Sequence, residues 1–156
     1  GWLPTHFYSE AQCGGGAMID LGAHGMYLTH WILGLPAAAS SAFTVAHGAE
    51  KNTDLVEDNA VTVMGFSDGA IAVNETGFVS AVSPVMLEVF GEKGYVRMEN
   101  DTVTFCDGGA VTQIPVPESR PLPIVQFLTG DILPGCGMEE AKALTRMMEM
   151  AYEGKH

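Results

Sequence analysis

The chain has 156 residues, 47% of them hydrophobic and 17% charged, a length and composition that suit one folded domain and exclude a disordered segment. Seven basic residues stand against nineteen acidic ones, for a formal net charge of −12; the summed field repels nucleic acid and anionic membranes and offers a dinucleotide's phosphates little compensation. Cys13, Cys106 and Cys136 are odd in number, widely spaced and without a C-x-x-C pair, which argues against a disulfide framework or a zinc ribbon and fits the thiols of a cytoplasmic protein.

No stretch has the length and apolarity of a membrane helix, and no charged region followed by an apolar one opens the chain. The first residue is not Met, so the chain is expected to be a piece of a longer protein. Residues 1–13 are aromatic-rich and aperiodic, the composition of a loop that leads into the fold. Three glycines follow. From Ala17 to Leu33 the apolar residues Met18, Ile19, Leu21, Met26, Leu28, Trp31 and Ile32 recur densely enough to predict a mostly buried helix, ended by Gly34-Leu35-Pro36.

The period then changes from helical to two. Runs at 41–47, 58–66, 70–78, 85–90, 94–99, 102–106 and 110–116 predict strands, joined for the most part by tight turn signals such as Ser67-Asp68-Gly69 and Glu92-Lys93-Gly94. Strands so joined run antiparallel. Pro115, Pro117, Pro121 and Pro123 end the sheet, Ile124–Leu133 predicts a short helix, and Met138–Glu153 a last one with Glu139 and Glu140 in its first turn, where the helix dipole favours anions. The order implies an α+β fold: a largely antiparallel or mixed sheet with helices packed on one face, in one domain spanning 1–156. Alternation at Val61, Val63, Ile71 and Val73 puts apolar residues on at least one face. If Phe66, Phe78, Val89 and Met98 occupy the other, that face is a candidate subunit interface, the alternative being a single core face with scattered exposed apolar residues.

The stretch with chemical content is GGGAMIDLGAHGMYLTHWILGLP, residues 14–36. In a regular helix Asp20 and His24, four apart, lie about 40° from one another on one face and can reach a common small molecule. An imidazole titrating at roughly pH 6.5 can take a proton from a hydroxyl at neutral pH, and a neighbouring carboxylate can orient the ring and stabilise its charged form. Gly15 and Gly16, bare backbone at the helix entrance, suit the floor of a substrate site, or simply a flexible turn before a buried helix. An ordinary acid–imidazole pair and a metal site are the other readings of Asp20 and His24; for a metal the third ligand is unexplained, since His30 faces away. The glycine run does not follow an apolar strand, so it is no dinucleotide fingerprint, and no G-K-[ST] phosphate loop is present. His6, His30, His47 and His156 have no partnered spacing and read as structural or exposed, His6 being the one close to the glycines.

The block G-G-G-x-x-x-D-x-G-x-H followed by a helix ending W-I-L-G-L-P resembles the active-site segment of the Gfo/Idh/MocA dehydrogenases, and F-G-E-K-G-Y-V resembles that family's F-G-x-x-G turn. The resemblance covers essentially the whole chain and implies its C-terminal substrate-binding and oligomerisation domain, with a Rossmann domain that binds NAD or NADP, and a Lys from its E-K-P motif, lying outside this sequence. No cofactor is then expected on this chain alone. It also implies that His24 exchanges a proton with a substrate alcohol, that Asp20 partners it, and that Gly15, Gly16 and Tyr27 line the substrate. Many relatives carry an Asp where this chain has Tyr27, which leaves the substrate subgroup open among sugars, inositols and related polyols. The implied protein is a cytoplasmic homodimer or tetramer; the alternative is a non-catalytic binding or oligomerisation module built on the open sheet face.

Overall fold

The alternation in the sequence becomes seven strands among the described residues, paired antiparallel within two groups of consecutive strands. A computed structural model describes residues 3–82, 85–133 and 135–155. The described strands form two ladders rather than the single sheet expected. The first joins β1 (Ala38–Thr44), β2 (Asn59–Gly65) and β3 (Ile71–Gly77); the second joins β4 (Met86–Gly91), β5 (Gly94–Glu99), β6 (Thr102–Cys106) and β7 (Val111–Ile114). The chain divides correspondingly into two compact units, residues 1–81 with 131–156, and residues 82–130. The α+β class and the antiparallel pairing are those the sequence implies.

In the first unit the segment before the glycines is more structured than its composition suggests. It forms a 3-10 turn over Thr5–Tyr8 and a single helical turn, α1 (Glu10–Cys13), which Gly14 ends in the left-handed region at φ 78°. The predicted helix over 17–33 is present but begins as a π-turn, Met18–Gly22, before continuing as α2 (Ala23–Leu33). It is also less buried than expected. Met18, Gly22 and Met26, four apart, form its buried stripe, whereas Ile19, Leu21, Trp31, Ile32 and Leu33 are exposed. An apolar helix can bury only the stripe that meets the sheet and its neighbouring helix.

That neighbour is α4 (Met138–Glu153), whose Glu140 carboxylate accepts the Gly137 N–H at 2.9 Å and caps the helix start. Met147, Met148 and Ala151 of α4 pack with Met18, Met26, Ala60, Met64 and Phe66 into one core, five of whose eight residues are methionines. Unbranched thioether chains fill the uneven gap between two helices and a small sheet. Strand β2 shows how the sheet is oriented: Ala60, Thr62 and Met64 are buried, while Val61 and Val63 face outward. In β3, Ile71 and Val73 are likewise exposed, with Val73 paired to Val63. The apolar alternation read from the sequence therefore marks the uncovered face, and Phe66 and Phe78 are buried.

The second unit is the β4–β7 meander, followed by a short helix, α3 (Pro123–Thr129). None of its described residues is fully buried. Cross-strand pairing aligns Leu87 with Met98 and Val103, and Val89 with Val96 and Phe105, so these six share one face. Arg97 stands on the opposite face, ion-paired to Glu88 and Glu99.

A buried carboxylate ties the first unit together ahead of β2. Asp58 is fully buried and accepts the Ala46 and His47 backbone N–H groups at 2.6 and 2.7 Å and His47 Nδ1 at 2.7 Å. His47, which has no partner by sequence spacing, thus finds one eleven residues away. Its ring also packs edge-on against Tyr8, whose phenol pKa is raised by burial and by the nearby Asp58 charge. Replacing Asp58 by Ala strands these donors in the interior and is expected to cost about 3 kcal/mol. Urea unfolding that shows a midpoint unchanged from wild type would contradict this.

Candidate active site

The chemistry-bearing segment is held at its front end by a residue far away in sequence. Asn52, fully buried, donates from Nδ2 to the Val56 carbonyl at 2.6 Å and accepts the Val56 N–H at 3.0 Å, closing the loop before β2. Leu55 inside that loop takes φ 53°, a left-handed conformation that a side chain adopts only when its surroundings enforce it. The loop delivers Glu57 beneath the glycines. Its backbone carbonyl accepts the Ala17 N–H at 2.8 Å, and its carboxylate Oε1 accepts the N–H groups of Gly16 and Met18 at 3.0 and 3.2 Å. A carboxylate here meets the unpaired amides and the positive end of the helix together. Tyr152 of α4 donates its hydroxyl to the same Oε1 at 2.7 Å; burial first, and that bond second, push its phenol pKa far above the ordinary value.

This arrangement gives the glycines a packing role. Gly15 and Gly16 are both buried. A Cβ at Gly16 would lie 1.8 Å from the Glu57 carbonyl oxygen, and one at Gly15 would lie 2.4 Å from the Tyr152 hydroxyl. The bare backbone admits Glu57 and Tyr152, a close approach that the glycine run alone does not specify.

Asp20 and His24 stand on the next turns. The π-turn is marked by the Gly22 N–H, which reaches back five residues to the Ala17 carbonyl at 3.0 Å. Such wide turns interrupt helices frequently at functional sites. Asp20 lies within the π-turn and is half-buried; His24 lies in the first turn of α2 and is exposed. No hydrogen bond or ion pair joins either side chain to another among the described residues, so both retain their capacity to bond a ligand. A carboxylate and an imidazole open to solvent can between them accept, hold and return a proton.

Tyr27 is placed differently. Its hydroxyl donates to the Gly135 carbonyl and lies 3.3 Å from Cys136 Sγ, tying α2 to the segment before α4. The bond to Cys136, then burial, raise its pKa to about 12. Its single proton is engaged within the protein. Of the other histidines, His6 is exposed and its ring lies 4.6 Å from that of Phe7, His30 has a buried Nδ1 without a partner, and His156 lies outside the described residues. No group of three His, Cys, Asp or Glu among the described residues is placed to hold a metal ion. The residues that sequence reasoning missed are Glu57, Tyr152 and Asn74. Asn74 of β3 donates to the Gly22 carbonyl. None has a local motif: Glu57 bonds the Gly16 and Met18 amides from 41 and 39 residues away, Asn74 bonds the Gly22 carbonyl from 52, and Tyr152 bonds Glu57 from 95.

Comparison with known proteins agrees with this architecture. The chain belongs to the GFO/IDH/MocA C-terminal domain family, whose model matches residues 2–97. Among solved structures, an oxidoreductase from Thermotoga maritima superposes with a TM-score of 0.83 at 17% identity, over 99% of this chain and 49% of its own. An aldose-aldose oxidoreductase from Caulobacter crescentus, complexed with glycerol, matches with a TM-score of 0.75 at 21% identity, over 94% of this chain and 47% of its own. A UDP-N-acetylglucosamine 3-dehydrogenase from Acidithiobacillus ferrooxidans gives 0.76 at 15% identity, over 89% and 47%. At these identities the likeness is one of fold, and the chain spans about half the length of the proteins it matches. No curated protein matches the chain.

Two substitutions probe the front of the site. Glu57→Ala removes the acceptor for two helix amides and a phenol and is expected to cost about 3 kcal/mol. Gly16→Ala forces a methyl against backbone that cannot rotate aside and is expected to cost about as much. Both are read from denaturant midpoints at constant slope, and a Gly16→Ala protein as stable as wild type would mean that the close contact relaxes freely.

Proposed function

We propose that this chain is the substrate-binding part of an NAD(P)-dependent oxidoreductase that oxidises a secondary alcohol of a sugar, inositol or related polyol. The observation that carries this reading is the pair Asp20 and His24, both unpartnered and accessible on adjoining turns of one helix, in a chain of the Gfo/Idh/MocA family. His24 is assigned as the base that takes the alcohol proton and returns it in reduction. Asp20 is assigned to bind a substrate hydroxyl beside it, a role open to an ionised carboxylate with free acceptor sites. Gly15, Gly16 and Tyr27 shape the ground beneath and behind the pair.

The described residues form antiparallel ladders and contain no strand–helix–strand unit with a glycine fingerprint. In this reading the nicotinamide takes the hydride and Asp20 and His24 contribute the proton half of the reaction. Support for nicotinamide chemistry comes from the relatives: one matched structure, GenD2 from gentamicin A biosynthesis, is a complex with NAD, at 24% identity and a TM-score of 0.69. Support for a polyhydroxylated substrate comes from the aldose and UDP-N-acetylglucosamine enzymes above. The exposed Ile19 and Leu21 on either side of Asp20 fit a helix whose outer side is covered in the complete enzyme. The free thiols of Cys13, Cys106 and Cys136 suit a reducing cytoplasm, and no described helix is long and apolar enough to cross a membrane.

In the intact enzyme His24→Ala is expected to lower turnover by about 10²- to 10⁴-fold, with nicotinamide affinity unchanged. Turnover near wild type would remove His24 from the chemistry, and with it this reading.

A second reading rests on a separate observation. The outward face of the first sheet carries Val61, Val63, Ile71 and Val73, with exposures from 37 to 71%, an apolar surface of the kind that marks an interface. Homodimer or tetramer formation through a sheet face accompanies the enzyme; as the sole role of the chain it is the alternative. Val63→Lys with Val73→Lys is expected to lower the association state in sedimentation without loss of fold. A strict monomer in the unmutated protein at high concentration would count against the interface.

A further inference from the structure

We propose that Asn74 is a positioning residue for the Asp20–His24 pair, acting by holding the π-turn between them in place; the proposal rests on the active-site reading above. Asn74 is the one buried residue of β3 and faces the core, with 8% of its surface exposed. An aliphatic side chain would fill such a position at no polar cost, whereas an amide there is costly unless bonded. Its Nδ2 donates to the carbonyl of Gly22 at 2.9 Å. Gly22 closes the π-turn and stands midway between Asp20 and His24, two residues from each.

Two glycines make that contact possible. A Cβ at Gly25, the residue after His24, would lie 2.1 Å from Asn74 Oδ1, and one at Gly22 would lie 2.8 Å from Met18 Sδ and 3.2 Å from Thr76 Cγ2 of β3. The helix is thus lowered onto the strand at the junction of π-turn and α-helix. A π-turn is rare and does not persist without support. Recoiling the segment as regular α-helix would turn the residues before Gly22 against those after it by up to about 100°. Glu57 anchors the front of the segment and Asn74 its far end, so Asp20 lies in a turn fixed on both sides. The amide does not touch the reacting atoms. Its effect passes through the angle and separation of the two side chains that do.

The test uses the intact enzyme and Asn74→Asp, which keeps the shape but sets an acceptor oxygen against the Gly22 carbonyl. Asn74→Ser, smaller and uncharged, serves if the carboxylate prevents folding. Turnover is expected to fall about 10- to 100-fold in protein that stays folded at the assay temperature, as small misplacements of reacting groups do, while nicotinamide affinity changes little. In a His24→Ala background the same substitution should cost clearly less turnover than in the wild type, because the part of its effect that passes through the imidazole is gone. Wild-type turnover in a folded Asn74 variant overturns the proposal. So does an undiminished loss in the His24→Ala background, or failure of both variants to fold, each of which makes Asn74 a residue of the fold alone. If His24→Ala itself leaves turnover intact, it is the underlying active-site reading that falls.

Discussion

A carboxylate can stay inside a protein only where donors converge on it, and the site half of this chain is arranged around one that does. Glu57 gathers two amides at the start of the central helix and the hydroxyl of Tyr152 from the last helix, while its own carbonyl takes a third amide. One residue thereby joins the loop before β2, the helix that carries Asp20 and His24, and α4. Much of the surrounding sequence follows from making room for it. Gly15 and Gly16 have no side chain because Tyr152 and the Glu57 backbone occupy that space, and Asn52 clamps Val56 on both sides so that the loop arrives at the required angle.

The same segment departs from the most favourable helix geometry around Asp20, one of the two residues proposed to act on substrate. The wide turn over Met18–Gly22 is held by polar contacts at both ends, from Glu57 in front and Asn74 behind. Apolar packing alone, through Met18 and Met26 into a methionine-rich core, would tolerate several helix registers, because thioether chains adapt. Directional hydrogen bonds supply the uniqueness that such a core lacks. This division of labour is common in sites that need fixed geometry: hydrocarbon supplies stability and a few buried polar groups set the register.

The extent to which the sequence disclosed this follows from range. Strand periods and turn glycines act over a few residues, so β5 and β6 lie where alternation places them and the other strands are displaced by only a few residues at their ends. The block holding Asp20 and His24 lies on the helical segment predicted for it for the same reason. What stayed hidden acts across long loops. The i,i+4 spacing suggested that Asp20 and His24 lean on each other, yet among the described residues no bond joins them, and Asp20 lies in a π-turn rather than a regular α-turn. His47 seemed unpartnered because Asp58 lies across a loop, and nothing local to Tyr27 reveals that its hydroxyl bonds the Gly135 carbonyl. Burial was misjudged for a related reason: hydropathy records how apolar a helix is, and only tertiary structure records which stripe finds a partner.

That last point bears on what the chain does. Apolar residues without cover occur on the outer side of the site helix, at Ile19, Leu21 and Trp31, and on the outer face of the first sheet, at Val61, Val63, Ile71 and Val73. In the second unit, six apolar residues of the meander share one face and none of its described residues is fully buried. Single exposed apolar side chains are ordinary on any surface, but contiguous ones are not. A helix that carries a free acid and imidazole beside exposed isoleucine and leucine is suited to lie against something that brings both hydrocarbon and a reacting group. The chain spans about half the length of its structural relatives, and under the proposed function the exposed side of this helix is where substrate and hydride acceptor would lie.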